Sequence, residues 1–554
     1  MAQDSRNRIP YVFLGIVITL FLIFTARIAY IIVMEKDGRR SYDDPVVASS
    51  VVRGSIGDRN GNILASQTST WTLHFRLSAM DDIEYAALAV SPYIGMTVDE
   101  ILDKASQYTT YALIKDGMTM AQADEVEAAI EDAGLQAQID VTRQQTRSYA
   151  SHFHAGQLIG FVNREGVGSE GIEYMFDDVL SPYPGLDESV TYGDDILLTI
   201  DLDIQYLVDV QVQNIAYEHD PDYIMAIVAD AKTGDILAMS SYPWYDLNHY
   251  NVSSADERLN RCAAYNYEPG SVFKVFTLAK CMDEGIDTTT PFICDGSETF
   301  TVDGNSFTIG CHTPHGEVDG RQMIAQSCNG AIASWCLQLG DDVFYEYLRS
   351  LGFGSKPDLQ IPALTSGFLS SPENWSSRTK ATLAFGQEIN VNALQIVAAA
   401  TALANGGVEI PLNVIHEIRR HDGTVVWESA PAEGTRVMSA ETVAAILSYM
   451  ESAVEEGTAK KAGLDGIRVA AKTGTAEIIN PETGSYAEGT NLASTLALAP
   501  AKDPEYIVYY AISAPKGNSV WGADIAAPAC SAIIEGLARQ GRLSTSDQMT
   551  IQVN

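Results

Sequence analysis

The sequence predicts an α+β fold behind a single N-terminal transmembrane helix, and three features predict it. A long apolar run opens the chain. Strand-like runs lie at 196–200, 224–229 and 236–239 and return at 469–471, 494–499 and 506–512. Between them helical periodicity dominates from Val272 to about Leu403. Sheet, helices and sheet again imply that distant segments close one sheet, which is the α+β arrangement. At 554 residues and 46% hydrophobic side chains the chain can bury several cores.

The opening run is uncharged from Ile9 to Ala26 and, after Arg27, apolar again from Ile28 to Met34. At about 1.5 Å per residue, a helix over residues 10–34 crosses a hydrocarbon core of about 30 Å. Arg27 lies close enough to one end for its head to reach the interface. A cleavable signal peptide has a shorter apolar stretch and an A-x-A-like site, neither of which is present, so an uncleaved anchor is expected. Two Lys/Arg precede the span and three follow closely, so the positive-inside count does not orient it.

Lys+Arg number 35 against 72 Asp+Glu, a formal charge of −37, which argues against phosphate-backbone binding and excludes nucleic acid as an expected partner. The first 40 residues carry a net +3, so an acidic body follows a basic stub. The seven cysteines form no C-x-x-C pair and no zinc-knuckle spacing. One grouping stands out: Cys294 and Cys311 with His312 and His315. It is open to three readings: a Cys294–Cys311 disulfide, part of a metal site, or small buried side chains. No metal ligand set and no cofactor is assigned.

Residues 41–192 mix short β-like runs (Ile63 to Ala65, Trp71 to Phe75) with an acid-rich helical stretch from Met120 to Ala133 and contain no cofactor loop. From Asp195 the texture changes. Ile224 to Ala229 and Ile236 to Met239 flank the turn Lys232-Thr233-Gly234-Asp235 and read as a β-hairpin. A helix from Ala527 to Leu537 closes the domain.

The chemistry concentrates in three motifs. In Tyr267-Glu268-Pro269-Gly270-Ser271-Val272-Phe273-Lys274, Pro-Gly punctuates the chain before an apolar-periodic helix. Ser271 then falls in the first turn, and Lys274, three residues on, shares its face. A serine needs a base to become a nucleophile, and a lysine can be that base if burial or a nearby cation lowers its pKa. Ser327-Cys328-Asn329, ahead of a helical run, supplies a hydroxyl to relay a proton and an amide that donates and accepts. Lys472-Thr473-Gly474-Thr475, ending the apolar run Val469 to Ala471, places a cation, two hydroxyls and an unencumbered backbone along a strand. Each triplet alone is weak: Ser377-x-x-Lys380, Ser513-x-x-Lys516 and Lys232-Thr233-Gly234 also match. The order S-x-x-K, S-x-N, K-T-G is what carries the signal.

This ordered set resembles the penicilloyl serine transferases, which comprise the penicillin-binding proteins and the serine β-lactamases. Further stretches resemble class B penicillin-binding proteins: Arg53 to Gly61 with Leu64-Ala65, Arg147 to Val162, Gly168 to Glu173, Asp230 to Pro243, Asn260-Arg261, Phe385-Gly386-Gln387 and Ala526-Ala527-Pro528. The resemblance implies residues 1–40 as a short cytoplasmic tail and anchor, 41–192 as an elongated, β-rich, non-catalytic pedestal or dimerisation domain, 193–545 as the transpeptidase domain and 546–554 as a tail. It implies a five-stranded antiparallel sheet packed with helices plus an all-helical subdomain. It also implies an extracytoplasmic D,D-transpeptidase in the cytoplasmic membrane, acting on peptidoglycan stem peptides of lipid-linked glycan strands and acylated by β-lactams. Partners implied are a polytopic membrane glycosyltransferase and cell-wall assembly proteins.

By the same resemblance Ser271 is the nucleophile and Lys274 its base, Ser327 relays a proton, and Asn329 orients Lys274 and the substrate amide. Lys472 is a second cation that helps hold Lys274 partly neutral. Thr473, Thr475 and Lys472 grip the terminal carboxylate, Gly474 lets the substrate backbone come close, and the backbone N–H groups of Ser271 and Thr475 form the oxyanion hole. Two alternatives remain at this stage. A serine β-lactamase would need a base for deacylation, for which Glu373 and Glu388 lie between the second and third motifs. A β-lactam-binding scaffold or sensor would need no turnover.

Overall fold

The computed structural model describes residues 50–183, 190–430, 432–479, 486–517 and 519–544. The expected span at 10–34 and the tail at 546–554 lie outside them; among the described residues no helix is long and apolar enough to cross a membrane. Contacts divide the chain into two units. The larger, Val51–Tyr183 with Tyr192–Asn554, carries everything that follows.

Its centre is a five-stranded antiparallel sheet in the order Ala470–Ile479, Tyr486–Ala499, Tyr506–Ser513, Tyr223–Asp230, Ile236–Tyr242. The three late strands close onto the early hairpin, as the sheet–helix–sheet pattern predicts. Tyr223–Asp230 and Tyr506–Ser513 are buried almost throughout, which requires cover on both faces and explains their unbroken apolar character. Helices Leu202–His219, Ala393–Ala404 and Ala526–Arg539 supply that cover. Ala393–Ala404 is built largely of alanine and is almost wholly buried, so it threads the core where bulkier side chains would not fit. Ala470–Ile479 is an edge strand, and its outer side borders the site.

A seven-stranded sheet joins the N-terminal region to this body. Along it lie Val425–Glu428, Ile415–Arg419, Asp195–Leu198, Ile56–Gly57, Ile63–Phe75 and Ala112–Met118, with Ile139–Tyr149 also paired to Ile63–Phe75. The two short runs expected at 63–65 and 71–75 are one 13-residue strand. Its polar middle remains a strand through threonines that face partners across the ladder, Thr72 on Thr142 and Thr68 on Thr146. Helices Ile83–Ile94, Val98–Ser106 and Met120–Asp132 contribute to a separate small core with Leu73, Phe75 and Ile114. The Arg53, Arg147 and Glu173 of the signature stretches converge: Glu173, fully buried, accepts from Arg53 Nε and Arg147 Nε, both at 2.7 Å.

Helices dominate from Val272 to Leu403 as expected, but the implied all-helical subdomain is corrected: Phe292–Cys294, Ser297–Val302, Asn305–Gly310 and Gly316–Val318 form two antiparallel pairs within it. Ser297–Val302 and Asn305–Gly310 alternate between faces and turn through Asp303-Gly304, both at positive φ. Alternation around an Asp-Gly pair is a strong hairpin signal. The surrounding helical periodicity masked it.

Candidate active site

The nucleophile candidate stands on a forced turn. Gly270–Phe273 is a 3-10 turn that runs directly into the helix Lys274–Asp283, so Ser271 and Lys274 lie on consecutive turns of one screw. Gly270 has φ 57° and donates its N–H to Gly386 O at 3.0 Å. Gly386, at φ 80°, has no room for a side chain, since a Cβ there would sit 2.4 Å from Gly270 O. Phe385-Gly386-Gln387 therefore serves as the bed of the Ser271 turn.

Gly474 has a different reason from the one read in the sequence. A Cβ on it would lie 2.9 Å from Val272 Cγ2 and 2.6 Å from Ser494 Oγ. Its bareness allows the Ser271 turn to press on the edge strand.

Ser327 is the hub. It caps the helix Gly320–Gln326 in the left-handed region at φ 61°, a conformation that costs a non-glycine residue about 1 kcal/mol or more. Lys274 Nζ donates to Ser327 O at 2.6 Å and to Ser327 Oγ at 3.0 Å. Lys472 Nζ donates to the same Oγ at 3.0 Å and to Thr473 O at 2.8 Å. Both lysines are fully buried, and among the described residues neither ammonium is paired with a carboxylate. Burial lowers Lys274 to about 8, with the sulfurs of Cys328 and Cys311 opposing the shift. Lys472 is held well below the ordinary lysine range by burial and then by the charge of Lys274.

The remaining expected residues surround this hub. Asn329 opens the helix Asn329–Cys336, and its Nδ2 donates to Gly310 O at 2.9 Å, which ties it to the hairpin instead of to Lys274. Thr473 Oγ1 donates to Thr458 Oγ1 at 3.1 Å, and Thr475 Oγ1 accepts from Gly522 N at 3.2 Å. Ser271, Asn329 and Thr475 stand where two clefts meet. One of about 470 Å³ is bordered by Thr473, Ser327 and Trp521, the other of about 300 Å³ by Phe385, Arg378 and Glu477.

Sequence reasoning missed Trp521, whose ring meets His312 edge-on at 5.0 Å across the larger cleft; no motif surrounds it. It also missed Glu268, which is buried and raised above the usual carboxylate range by burial. Glu268 accepts from Glu388 N at 2.8 Å and Tyr486 OH at 3.0 Å behind the nucleophile turn.

The other matches to the short motifs are structural. Lys380 pairs with Asp341 at 2.6 Å, Lys516 with Asp220 at 3.4 Å and Lys232 with Asp503 at 2.6 Å. Glu373 is bound by Ser371 Oγ, and Glu388 by Thr379 Oγ1 and Arg378. Cys294 and Cys311 are free thiols, so the disulfide reading fails in this structure: Cys294 Sγ faces His315 Nδ1 at 3.4 Å, and Cys311 Sγ faces Cys328 Sγ at 3.7 Å.

The profile described as "Penicillin binding protein transpeptidase domain" matches residues 224–535, and that described as "Penicillin-binding Protein dimerisation domain" matches residues 48–192. The chain belongs to the class B penicillin-binding proteins. Among curated relatives, it is 30% identical over 498 residues to a probable peptidoglycan D,D-transpeptidase FtsI of Caulobacter vibrioides, covering 88% of this chain and 81% of that one. It is 28% identical over 552 residues to stage V sporulation protein D of Bacillus subtilis, covering 94% and 84%.

Among solved structures, penicillin-binding protein 3 of Mycobacterium tuberculosis, complexed with aztreonam, superposes with a TM-score of 0.72 at 24% identity, over 91% of this chain and 100% of that one. A peptidoglycan synthetase of Bifidobacterium adolescentis does so at 0.68 and 24%, over 91% and 97%. At these identities the superpositions speak for the fold. In this class B penicillin-binding protein the dimerisation and transpeptidase regions share the seven-stranded sheet, since Asp195–Leu198 lies in it between Ile415–Arg419 and Ile56–Gly57.

Proposed function

We propose that this class B penicillin-binding protein is a serine D,D-transpeptidase that cross-links peptidoglycan stem peptides and is acylated by β-lactams. The observation that carries the reading is the Ser327 hydroxyl held between two buried lysines that, among the described residues, meet no carboxylate, with Ser271 at the junction of two clefts.

Ser271 Oγ attacks the penultimate D-Ala carbonyl of a D-Ala-D-Ala terminus while neutral Lys274 takes its proton. The oxyanion is met by the backbone N–H groups of Ser271 and Thr475; one such donor is worth about 3 to 4 kcal/mol in the transition state. As the C–N bond breaks, Ser327 Oγ delivers a proton to the departing D-Ala amine and is resupplied by Lys274. An acceptor amine from a neighbouring strand then attacks the ester, forms the new amide and returns the proton to Ser271. Asn329 borders both clefts and can accept from the substrate amide. Thr473 and Thr475 hydroxyls meet the terminal carboxylate, with Lys472 buried behind them.

The β-lactamase alternative has little support, since Glu373 and Glu388 are bound to other groups and neither borders the clefts at Ser271. The relatives are named as D,D-transpeptidases, which supports the same choice.

Residues 10–34 are proposed as a single membrane anchor that leaves the N-terminus in the cytoplasm and the catalytic body outside. A polytopic glycosyltransferase that makes the glycan strands, and other cell-wall assembly proteins, are the proposed partners.

Labelling with a fluorescent penicillin, with Ser271→Ala beside it, tests the chemistry. A long-lived adduct absent from the variant is expected, as is release of D-Ala from a stem pentapeptide only in the wild type. An adduct that persists in Ser271→Ala refutes the assignment, and rapid turnover restores the β-lactamase reading.

A further inference from the structure

The sulfurs of Cys294, Cys311 and Cys328 and a ring nitrogen of His315 all lie within 4.8 Å of one another. Three separate segments deliver them, Cys311 and His315 sharing one loop. Cys294 ends the strand Phe292–Cys294, Cys311 follows Asn305–Gly310, His315 precedes Gly316–Val318, and Cys328 is the middle residue of the Ser327-Cys328-Asn329 motif. Cys294 and Cys328 are fully buried, and Cys311 and His315 half-buried.

Two edges of the cluster have the lengths of a metal tetrahedron. Zinc–sulfur bonds of about 2.3 Å and a zinc–nitrogen bond of about 2.0–2.1 Å require edges of about 3.8 Å between sulfurs and about 3.6 Å from sulfur to nitrogen. The structure has 3.7 Å from Cys311 Sγ to Cys328 Sγ and 3.4 Å from Cys294 Sγ to His315 Nδ1. Three soft sulfurs and one imidazole in a tetrahedral set select zinc over magnesium, calcium or manganese. Cys311 Sγ also accepts the backbone N–H groups of Asn329 at 3.3 Å and Gly330 at 3.4 Å, the outer-shell support that orients a thiolate ligand.

We propose that Cys294, Cys311, His315 and Cys328 form a structural zinc site that fastens the 292–318 β-insert to the Ser327 turn. The ion binds as the three thiols lose their protons to solvent and the neutral imidazole donates its lone pair, with no change of oxidation state. All four positions are filled by protein, as in structural sites, so the ion holds no water for chemistry. Its consequence is positional. It braces Cys328, and with it the left-handed Ser327 whose carbonyl and hydroxyl receive Lys274. This consequence rests on the transpeptidase reading; the metal site does not.

The test uses the full-length chain in detergent, kept reduced with a phosphine and refilled with zinc, then dialysed. Elemental analysis should find about one zinc per chain in the wild type and less than about a tenth of that in His315→Ala and Cys294→Ser, neither of which touches Ser271, Lys274 or Ser327. Cobalt refilling of the wild type should give thiolate-to-cobalt charge transfer and tetrahedral d–d bands, a readout that survives if a variant misfolds. Reduced wild type that retains no zinc overturns the site. So do variants that retain as much as the wild type, or cobalt spectra of an octahedral oxygen set.

Removing the ion with a chelator should slow penicillin labelling at least about tenfold, as loosened positioning does. Unchanged labelling refutes the brace. Labelled but metal-free wild type sinks the metal site alone, whereas zinc-loaded protein that never labels sinks the transpeptidase reading alone.

Discussion

Replacing Lys274 by arginine keeps the positive charge and the donors but removes the base. The magnitude follows from the pKa of about 8 that burial imposes on Lys274. At pH 7 about 9% of such lysines are neutral, against about 0.03% for an ordinary lysine near 10.4–10.5, so burial multiplies the active form roughly 300-fold, or about 3 kcal/mol at 1.36 kcal/mol per unit. An arginine side chain stays protonated at every working pH. The sign is fixed by chemistry: the active form is deprotonated, so acylation rises with pH. From pH 6 to pH 9 the neutral fraction climbs from about 1% to about 91%, so the second-order rate of penicillin labelling should climb about 90-fold and level off above pH 9.

Lys472, whose ammonium is disfavoured by burial and by the charge on Lys274, is coupled to the same titration. The assay is stopped-time fluorescent labelling across that pH range for wild type and Lys274→Arg. A flat or falling profile, or Lys274→Arg labelling within tenfold of wild type at pH 9, would refute the reasoning.

Other consequences are equally direct. Lys274→Met should abolish labelling yet stabilise the fold below pH 8. The folded pKa is depressed, so its burden of about 3 kcal/mol is fully present below about 8 and fades as pH rises toward 10.5, and two lost hydrogen bonds of about 1 kcal/mol each leave a net gain of about 1 kcal/mol. Urea unfolding at pH 7 and pH 10 measures it, and a gain independent of pH counts against it. Ser327→Ala removes the hydroxyl both lysines reach and should cut labelling about 10²- to 10⁴-fold with the fold intact by circular dichroism. Gly386→Ala forces a Cβ against Gly270 O and should slow labelling about 100-fold by displacing the Ser271 turn. Glu173→Ala leaves Arg53 and Arg147 buried without their shared carboxylate and should cost about 3–5 kcal/mol in denaturant unfolding, while any folded fraction labels at the wild-type rate.

The chemistry was legible because it demands particular atoms at short sequence spacing. Ser271 and Lys274 lie three residues apart on consecutive turns of one screw, and Lys472 to Thr475 lie on one strand, so local geometry alone places them. The hairpin 224–239 was legible for the same reason. The Asp303-Gly304 hairpin carried an equally local signal but sat inside a region of strong helical periodicity and was lost to it. Long-range facts were not readable. Gly474 and Gly386 looked like openings for substrate or unexplained motif residues, and they are contact points between segments about 200 and 116 positions apart in the chain from Val272 and Gly270.

What the sequence by itself determined is the order of the motifs, the strand and helix periods around them, and hence the family and the candidate reactive side chains. Only the tertiary structure decided what surrounds those side chains. It brings two lysines 198 positions apart onto one hydroxyl and buries them, among the described residues, away from any carboxylate, which lowers Lys274 to about 8. It likewise adds Cys328, read in the sequence only as the middle of a motif, to Cys294, Cys311 and His315. The reason is that a side chain's identity is local, whereas its pKa and its ligands depend on dielectric, charge and distance, which arise only when remote segments pack together.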